Sequence, residues 1–498
     1  MVPPTRENIL DIAFTPDGDF LDYTISPPQG GHGVVNQIPV LGGAPRHLLD
    51  GADTAVSFSP DGRQMAYVRY DAATSEGVVM TAKADGSGAR KLISNPTSLA
   101  YGDYGVQWSP HGQHIAFVTS QTGPEGLHSS LKEVDISTGV ARPILGKHWQ
   151  HIYDFAWLPD GSGLLVSAME KIASPLQLWI IPHPGGAVRR ASNDLADYIS
   201  VAVSSDARLI AAVQQNRLSD LWTGASSAPD TVRQITTGRD DGLRGLTFSP
   251  DGRVVYSGNH SQNWDLFMAD PDGENSRQLT FDGRFHESPA VCDHGRNVVY
   301  TTEYDGVPHL GTLNLRTGTS SKLSTGGGEL QPSCTAAGDW IYYWGQVAGG
   351  TFYVFKMPVS GGTKVRLSDR AALSPPTLSQ DGRHIVFIAQ RPDGRIVAAN
   401  ISAETGDLEL EKDIPPTYDL NGGACWMPDN RHVAIVDVRT GVANLWAIPV
   451  FAGGADRQLT HFSSDRIWRG CSYSSDGKRI AIARGPNTSD VVLFSNTN

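Results

Sequence analysis

The chain has 498 residues, including 54 glycines and 31 prolines, and its formal net charge is −12. No stretch concentrates the Lys and Arg that a nucleic-acid partner requires, so we expect no nucleic-acid binding. No apolar run approaches the roughly 20 residues of a membrane span, and Met1–Arg6 lacks the apolar stretch of a signal peptide. We therefore expect no membrane span, a cytoplasmic location if this is the full chain, and an extracytoplasmic one if it is a receptor fragment.

One short turn recurs along the chain. A brief apolar run leads into an aromatic or aliphatic residue, which is followed by a turn that most often reads Ser-Pro-Asp-Gly. Successive copies are spaced roughly 43 to 50 residues apart. The eleven copies are Phe14–Gly18, Phe58–Gly62, Trp108–Gly112, Trp157–Gly161, Val203–Ala207, Phe248–Gly252, Val291–Gly295, Cys334–Gly338, Leu378–Gly382, Trp426–Asn430 and Tyr473–Gly477.

The stretch Leu246–Thr280 shows the full unit most clearly. Four short runs rich in apolar and β-branched residues are separated by Pro, Asp and Gly turns, which predicts an antiparallel four-stranded meander. A four-stranded unit repeated every 40 to 50 residues is typical of a β-propeller. The aromatic residues of the third strands, such as Trp179, Trp222 and Trp446, are predicted to pack between neighbouring sheets.

The repeat F-S-P-D-G-R-x-x-x-Y…L-F-x-x-D-x-D-G…R-Q-L-T resembles the bacterial TolB-type, WD40-like (PD40) propeller repeat, and the resemblance covers nearly the whole chain. Shorter phrases, among them Pro39–Gly43, Arg217–Trp222 and Ser464–Ile467, resemble the C-terminal propeller region of bacterial membrane-linked serine/threonine protein kinases. No kinase motif is present. The resemblance implies a sensor or interaction region, and it implies nothing about phosphoryl transfer.

Eleven four-stranded repeats exceed the four to eight blades of ordinary propellers, so we predict an all-β chain with two rings. The linker-like segment Thr236–Gly242 suggests a five-repeat propeller over 1–241 and a TolB-like six-repeat propeller over 242–498. The final repeat ends after its predicted third strand, Val491–Phe494. Its bare edge could be paired by the N-terminal segment, which would nest the two rings.

Neither the cysteine spacing nor any sequence motif indicates a metal site, redox chemistry or catalysis. Cys292, Cys334, Cys425 and Cys471 lie in first strands without C-x-x-C spacing, so we interpret them as small buried apolar side chains. No G-x-S-x-G, H-E-x-x-H or P-loop motif is present. We therefore expect no catalytic residues, no metal site and no cofactor.

The loops that join a fourth strand to the next first strand are richer than turns require. In a propeller they lie at a channel mouth, and their aromatic, His, Asp and Arg side chains are the types that contact ligands. The candidate binding residues are Tyr104, His151, Tyr153, Tyr198, Arg284, His286, Glu287, Tyr418, Asp419, Arg466 and Trp468. Packing between neighbouring blades is the alternative interpretation for each of them.

The sequence is compatible with two classes of function. The first is a non-catalytic binding or sensor propeller whose protein, peptide or glycan ligand lies at a channel mouth. The second is a propeller enzyme that acts on an acidic polysaccharide, similar to oligogalacturonate lyases. That chemistry needs a base and a cation near the sugar carboxylate, for which His151, Arg284, His286 and Glu287 are suitable residue types.

Overall fold

The structure is a computed structural model, and it divides into two compact units. Unit 1 comprises Met1–Asn216 with Ser489–Asn498, and unit 2 comprises Arg217–Thr488. The residues that it describes are 8–26, 32–71, 76–95, 105–123, 126–171, 174–260, 263–304, 306–334, 338–347, 351–391, 395–415, 417–419, 423–451 and 453–495.

The recurring turn folds locally because its own side chains complete its hydrogen bonds. In the second copy the Ser59 hydroxyl donates to Asp61 Oδ1 at 2.6 Å and accepts from the Gln64 backbone N–H at 2.9 Å. The Gly62 N–H donates to the Ser59 carbonyl at 2.8 Å, with Gly62 at a φ of 67°, in the left-handed region that favours glycine. The predicted tight turn between first and second strands is therefore confirmed.

Unit 1 contains five antiparallel sheets among its described residues. Four have four strands in chain order, and the fifth has three. The sheets are β1 (Asn8–Phe14), β2 (Phe20–Ser26), β3 (Val34–Pro39) and β4 (Arg46–Asp50); β5 (Ser57–Phe58), β6 (Gln64–Asp71), β7 (Glu76–Lys83) and β8 (Arg90–Asn95); β9 (Val106–Trp108), β10 (His114–Gly123), β11 (Gly126–Asp135) and β12 (Ala141–Pro143); β13 (His151–Trp157), β14 (Gly163–Met169), β15 (Gln177–Pro182) and β16 (Arg189–Arg190); and β17 (Asp197–Val203), β18 (Leu209–Arg217) and β43 (Asn487–Ser495).

The core of unit 1 lies between successive sheets. Each of four apolar clusters joins one sheet to the next, as Met65 and Tyr67 of β6 do with Val35 of β3. On the first sheet Phe14 is 61% exposed, and on the fifth sheet Val491 is 70% exposed. The apolar packing therefore joins each sheet to the next, from the first to the fifth. Each Å² of apolar surface buried in this way stabilises the fold by about 25 cal/mol.

The described part of unit 2 forms six antiparallel four-stranded sheets. Two three-residue 3₁₀ helices, Pro229–Thr231 and Asp293–Gly295, are the helical segments among the described residues. The sheets are β19 (Asp220–Ala225) and β20 (Arg233–Gln234) with β41 (Arg466–Tyr473) and β42 (Arg479–Gly485); β21 (Leu246–Phe248), β22 (Val254–Gly258), β23 (Asp265–Ala269) and β24 (Arg277–Gln278); β25 (His286–Cys292), β26 (Asn297–Tyr304), β27 (Val307–Asn314) and β28 (Ser320–Lys322); β29 (Glu329–Ser333), β30 (Trp340–Gln346), β31 (Phe352–Pro358) and β32 (Val365–Arg366); β33 (Thr377–Leu378), β34 (His384–Gln390), β35 (Ile396–Ser402) and β36 (Leu408–Asp413); and β37 (Ala424–Trp426), β38 (His432–Asp437), β39 (Asn444–Pro449) and β40 (Arg457–Gln458).

The six sheets of unit 2 pack in a closed circuit. Six apolar clusters each join two neighbouring sheets, and the last of them, around Leu221, Phe248 and Ala481, joins the β41–β42 sheet back to the β21–β24 sheet. The first strands form the inner circle: β41 contacts both β37 and β21, and the Leu378 N–H of β33 donates to the Ser333 hydroxyl of β29 at 3.2 Å. Unit 2 therefore surrounds a central channel.

The fifth and the last repeats exchange strands, which the sequence interpretation did not foresee. The predicted third strand of the last repeat, Val491–Phe494, belongs to β43 and completes the β17–β18 sheet instead. The predicted third strand of the fifth repeat, with Leu221 and Trp222, pairs with β42, where Trp222 lies opposite Ile482. The N-terminal strand is described from Asn8 onwards and pairs with β2; Met1–Glu7 lie outside the described residues.

The prediction of an all-β chain built from four-stranded antiparallel sheets is confirmed. The predicted count of eleven repeats, the number of rings and the boundary between 241 and 242 stay predictions.

Candidate ligand-binding channel

The channel of unit 2 is a cavity of about 330 Å³. First strands from all six sheets contribute to its lining, which mixes hydroxyl and amide side chains with prolines and small apolar residues. Representative lining residues, one from each sheet, are Thr247, Ser288, Gln331, Thr377, Trp426 and Arg469. A concave, partly apolar cavity with a few polar groups is the usual form of a ligand site.

β-Bulges place three of the polar side chains at equivalent positions. Pairing between first and second strands shifts register after Glu287, after Leu330 and after Trp468. In each case the next residue is left-handed, with φ of 53° for Ser288, 49° for Gln331 and 47° for Arg469. A bulge inserts an extra residue and re-aims its side chain, so a hydroxyl, an amide and a guanidinium occupy matching places around the channel.

The carboxylate of Glu287 lies between two arginines beside the channel. Glu287 Oε2 lies 3.2 Å from Arg244 Nη1 and 3.6 Å from Arg469 Nη2. The Arg244 guanidinium also lies 4.8 Å from the Trp264 ring centroid and 5.2 Å from that of Phe285. Burial lowers the pKa of Arg244, and Glu287 opposes that shift.

Two disulfides join the first strands of neighbouring sheets, with Cys334 directly after the end of β29. The interpretation of the four cysteines as merely small buried apolar side chains is therefore wrong. Cys292 is bonded to Cys334, and Cys425 is bonded to Cys471. The paired residues are 42 and 46 positions apart, close to one repeat, because adjacent first strands lie side by side around the channel. Cys334, Cys425 and Cys471 form part of the channel wall.

The predicted site residues of unit 1 lie at the start of β13 and β17. The rings of His151 and Tyr153 are 5.9 Å apart, and burial lowers the pKa of His151 below 6.5. The buried Tyr198 hydroxyl donates to Asp194 Oδ2 at 2.7 Å, and burial together with this bond raises its pKa to about 12. Tyr104 lies outside the described residues. A ligand-binding role for these residues stays a prediction.

Two predicted residues of unit 2, Arg284 and His286, contact the same carboxylate. His286 Nε2 lies 2.7 Å from Asp282 Oδ1, and Arg284 Nε lies 3.6 Å from Asp282 Oδ2. His286 is 1% exposed and meets the Tyr300 ring edge-on at 5.0 Å. Burial lowers the pKa of His286, although Asp282 opposes the effect. His286 is therefore buried against Tyr300 and held by Asp282, and Arg284, whose side chain is 43% exposed, is the accessible member of the pair.

The predicted residues near the last two sheets form a separate group. Arg466 Nη2 lies 2.6 Å from Asp419 Oδ2, and its guanidinium lies 5.2 Å from the Trp468 ring centroid. Tyr418 is buried, which raises its pKa. Trp468 is packed in the cluster between the β41–β42 and β21–β24 sheets, and its indole N–H donates to the Leu218 carbonyl at 2.9 Å. Trp468 thus stabilises a sheet interface and is not turned towards the channel.

Of the predicted residues, Glu287 stands next to the channel, and the lining residues themselves were missed. Ser288 and Arg469 directly follow the candidate residues Glu287 and Trp468, whereas no candidate residue lies next to Gln331. A signal was present: the dipeptides Ser288-Pro289, Gln331-Pro332 and Ser374-Pro375 recur at a spacing of 43 residues. Proline inside an otherwise apolar strand marks a bulge.

Neither a metal centre nor a membrane helix is found in the described part of the chain. There, no three His, Cys, Asp or Glu side chains are grouped so that they could hold a metal ion. The described residues also contain no helix with the length and apolarity needed to cross a bilayer.

A model of the PD40 family, the TolB beta propeller domain, matches residues 41–279 and 245–412. The chain belongs to this family. The matched region includes sheets of both units, so the propeller-type fold predicted from the repeats is confirmed.

Two relatives of known family are bacterial TolB homologues. The chain is 25% identical over 140 residues to a TolB homologue of Chlorobium chlorochromatii and 29% identical over 123 residues to one of Chlorobaculum tepidum. These matches cover 28% and 22% of this chain but only 31% and 28% of the relatives. A solved TolB structure from Acinetobacter baumannii has 12% identity and a TM-score of 0.36, covering 76% of this chain and 83% of that one.

Proposed function

We propose that this member of the TolB propeller family is a non-catalytic binding protein whose unit 2 channel receives a polypeptide segment of a partner protein. The observation that carries the proposal is the channel itself. Six first strands surround it, and bulges in three of them present Ser288, Gln331 and Arg469 at its wall.

The wall suits an extended peptide better than a compact polar solute. Its prolines, such as Pro289, Pro332 and Pro376, offer apolar surface beside hydroxyl and amide groups. Peptide ligands combine backbone hydrogen bonds with pockets for alternate side chains. The two disulfides support the same role, because they tie neighbouring first strands together and so preorganise the wall.

The polysaccharide-lyase alternative is not carried further, since no observation favours it. His151 belongs to unit 1, whereas Arg284, His286 and Glu287 belong to unit 2. Within unit 2, His286 is engaged by Asp282 and Glu287 by two arginines. These contacts engage the side chains that would have to act as the base or bind the sugar carboxylate.

Site-specific photo-cross-linking tests the proposal. A benzophenone side chain in place of Thr377, which lines the channel, should give covalent adducts of defined mass with a protein of the native cells. The same side chain in place of Lys322, an exposed residue of the outer strand β28, is the matched control. Adducts at both positions, or at neither, would contradict a channel-specific protein partner.

A further inference from the structure

Arg469 is the charged side chain of an otherwise uncharged wall. Among the described residues that line the channel, the remaining side chains are hydroxyl, amide, aromatic or apolar, together with disulfide cysteines. A cation in a concave, partly desolvated site attracts an anionic group more strongly than it would in open water. The charge of the wall therefore selects for a negatively charged ligand atom.

The hydrogen-bonding capacity of Arg469 is not used up by Glu287. Their 3.6 Å separation is an ion pair that exceeds hydrogen-bond length, while Glu287 is closer to Arg244, at 3.2 Å. Arg244 thus compensates Glu287 by itself. A guanidinium carries five N–H donors in a planar fork that fits a carboxylate bidentately, and the Arg469 side chain is 30% exposed.

The backbone at Arg469 holds a strained conformation for a residue with a side chain. Its φ of 47° lies in the left-handed region, and the lining residues Gly245 and Gly423 show that glycine takes up positive φ angles directly before the first strands β21 and β37. Left-handed conformations of non-glycine residues cost free energy and often mark functional positions. An arginine there points to a role for its guanidinium.

We infer that the channel of unit 2 recognises a carboxylate of its polypeptide ligand, and that Arg469 pairs with it. The inference rests on the proposed binding function and specifies its chemistry. Glu287 offsets part of the local positive charge, which favours a singly charged carboxylate over a doubly charged phosphate. Ser288 and Gln331, at the equivalent bulge positions, supply further hydrogen bonds. The carboxylate is either the C-terminus of a peptide or an acidic side chain.

Affinity selection with defined peptide mixtures tests this pairing on the full chain. Four random hexapeptide mixtures combine a free or an amidated C-terminus with the presence or absence of Asp and Glu. Immobilised protein should retain carboxylate-bearing peptides at least ten-fold more than the amidated mixture without acidic residues. Retention should fall as salt rises, because ion pairs are screened. The mixture that is enriched identifies whether the C-terminus or a side chain supplies the carboxylate.

Three variants assign the effect to Arg469. Arg469→Asn, chosen because asparagine tolerates a left-handed backbone, should abolish the ten-fold preference, whereas Arg469→Lys should keep part of it. Arg296→Asn removes an arginine with a similarly long ion pair, 3.8 Å to Asp293, outside the channel wall. It should bind like the wild type. Melting curves of all three confirm that the fold is retained.

Equal retention of the amidated mixture without acidic residues, or an unchanged preference in Arg469→Asn, would overturn the inference. If channel cross-links to a partner persist in that case, the proposed binding function stands and only the carboxylate chemistry fails. Absence of both peptide retention and channel-specific cross-links in the otherwise wild-type protein would overturn the function as well.

Discussion

The disulfide between Cys425 and Cys471 should contribute about 4 kcal/mol to the stability of unit 2. It closes a loop of 46 residues, and the chain-entropy relation gives a loss of about 13.5 cal/mol/K in the unfolded state, or about 4 kcal/mol at 25 °C. The perturbation is the double substitution Cys425→Ala with Cys471→Ala, which removes both sulfur atoms and leaves no unpaired thiol.

The assay is hydrogen exchange during guanidinium unfolding, with peptides followed separately in each unit. All four cysteines lie in unit 2, so peptides from β14 in unit 1 serve as an internal reference, while peptides from β38 report on unit 2. Reduced wild-type protein is a second control, because it keeps the sulfur atoms and loses both cross-links.

The expected result is a lower free energy of unfolding for β38 by roughly 2 to 5 kcal/mol, the range that disulfide removal usually gives, with β14 unchanged. A loss below about 1 kcal/mol would refute the reasoning. It would mean that residual packing among the sheets of unit 2 keeps the two ends of the loop close together in the unfolded state even without the disulfide.

Three further outcomes are expected. Asp22 is 1% exposed, and burial raises its pKa from 3.8 to about 6, so ionising it lowers the free energy of unfolding by about 3 kcal/mol above pH 6 and by nothing below pH 4. In guanidinium unfolding, the stability of Asp22→Asn relative to wild type should therefore rise by about 3 kcal/mol between pH 4 and pH 8. Parallel pH profiles of the two proteins would contradict this. Gly252→Ala should lower the stability by about 1 kcal/mol because the φ of Gly252 is 87°. Gly273→Ala should lower the stability clearly more in thermal melts, since the added Cβ would overlap the Ile235 carbonyl. Equal losses of stability in the two variants would contradict the overlap. Far-ultraviolet circular dichroism should show less than roughly a tenth helix, against about a third in ordinary domains.

Local features of the fold could be predicted from the sequence because they are encoded within a few residues. The Ser59-Pro60-Asp61-Gly62 turn contains its own hydrogen-bond donors and acceptors. The strand exchange could not be predicted in this way. Leu221 and Trp222 have the pattern of a third strand whichever second strand they join, so their pairing with β42 is decided by packing.

The candidate site was predicted only approximately. Residue type directed attention to aromatic and charged loops, and this approach located Glu287 beside the channel but also selected Trp468, whose indole packs between sheets. The disulfides were missed because pairing depends on which first strands are neighbours around a circle. Arg469 was missed because its role follows from a bulge, which sequence alone marks faintly.

The strand exchange also constrains how the chain is made in the cell. β18 ends at Arg217 and its partner β43 begins at Asn487, so about 270 residues must leave the ribosome in between, which takes on the order of 15 to 50 s at roughly 5–20 residues per second. Throughout that interval the edge of β18 is unpaired, and such an edge invites pairing with other chains. Slow translation or scarce chaperones should therefore favour aggregation of the nascent protein even when the finished molecule is stable.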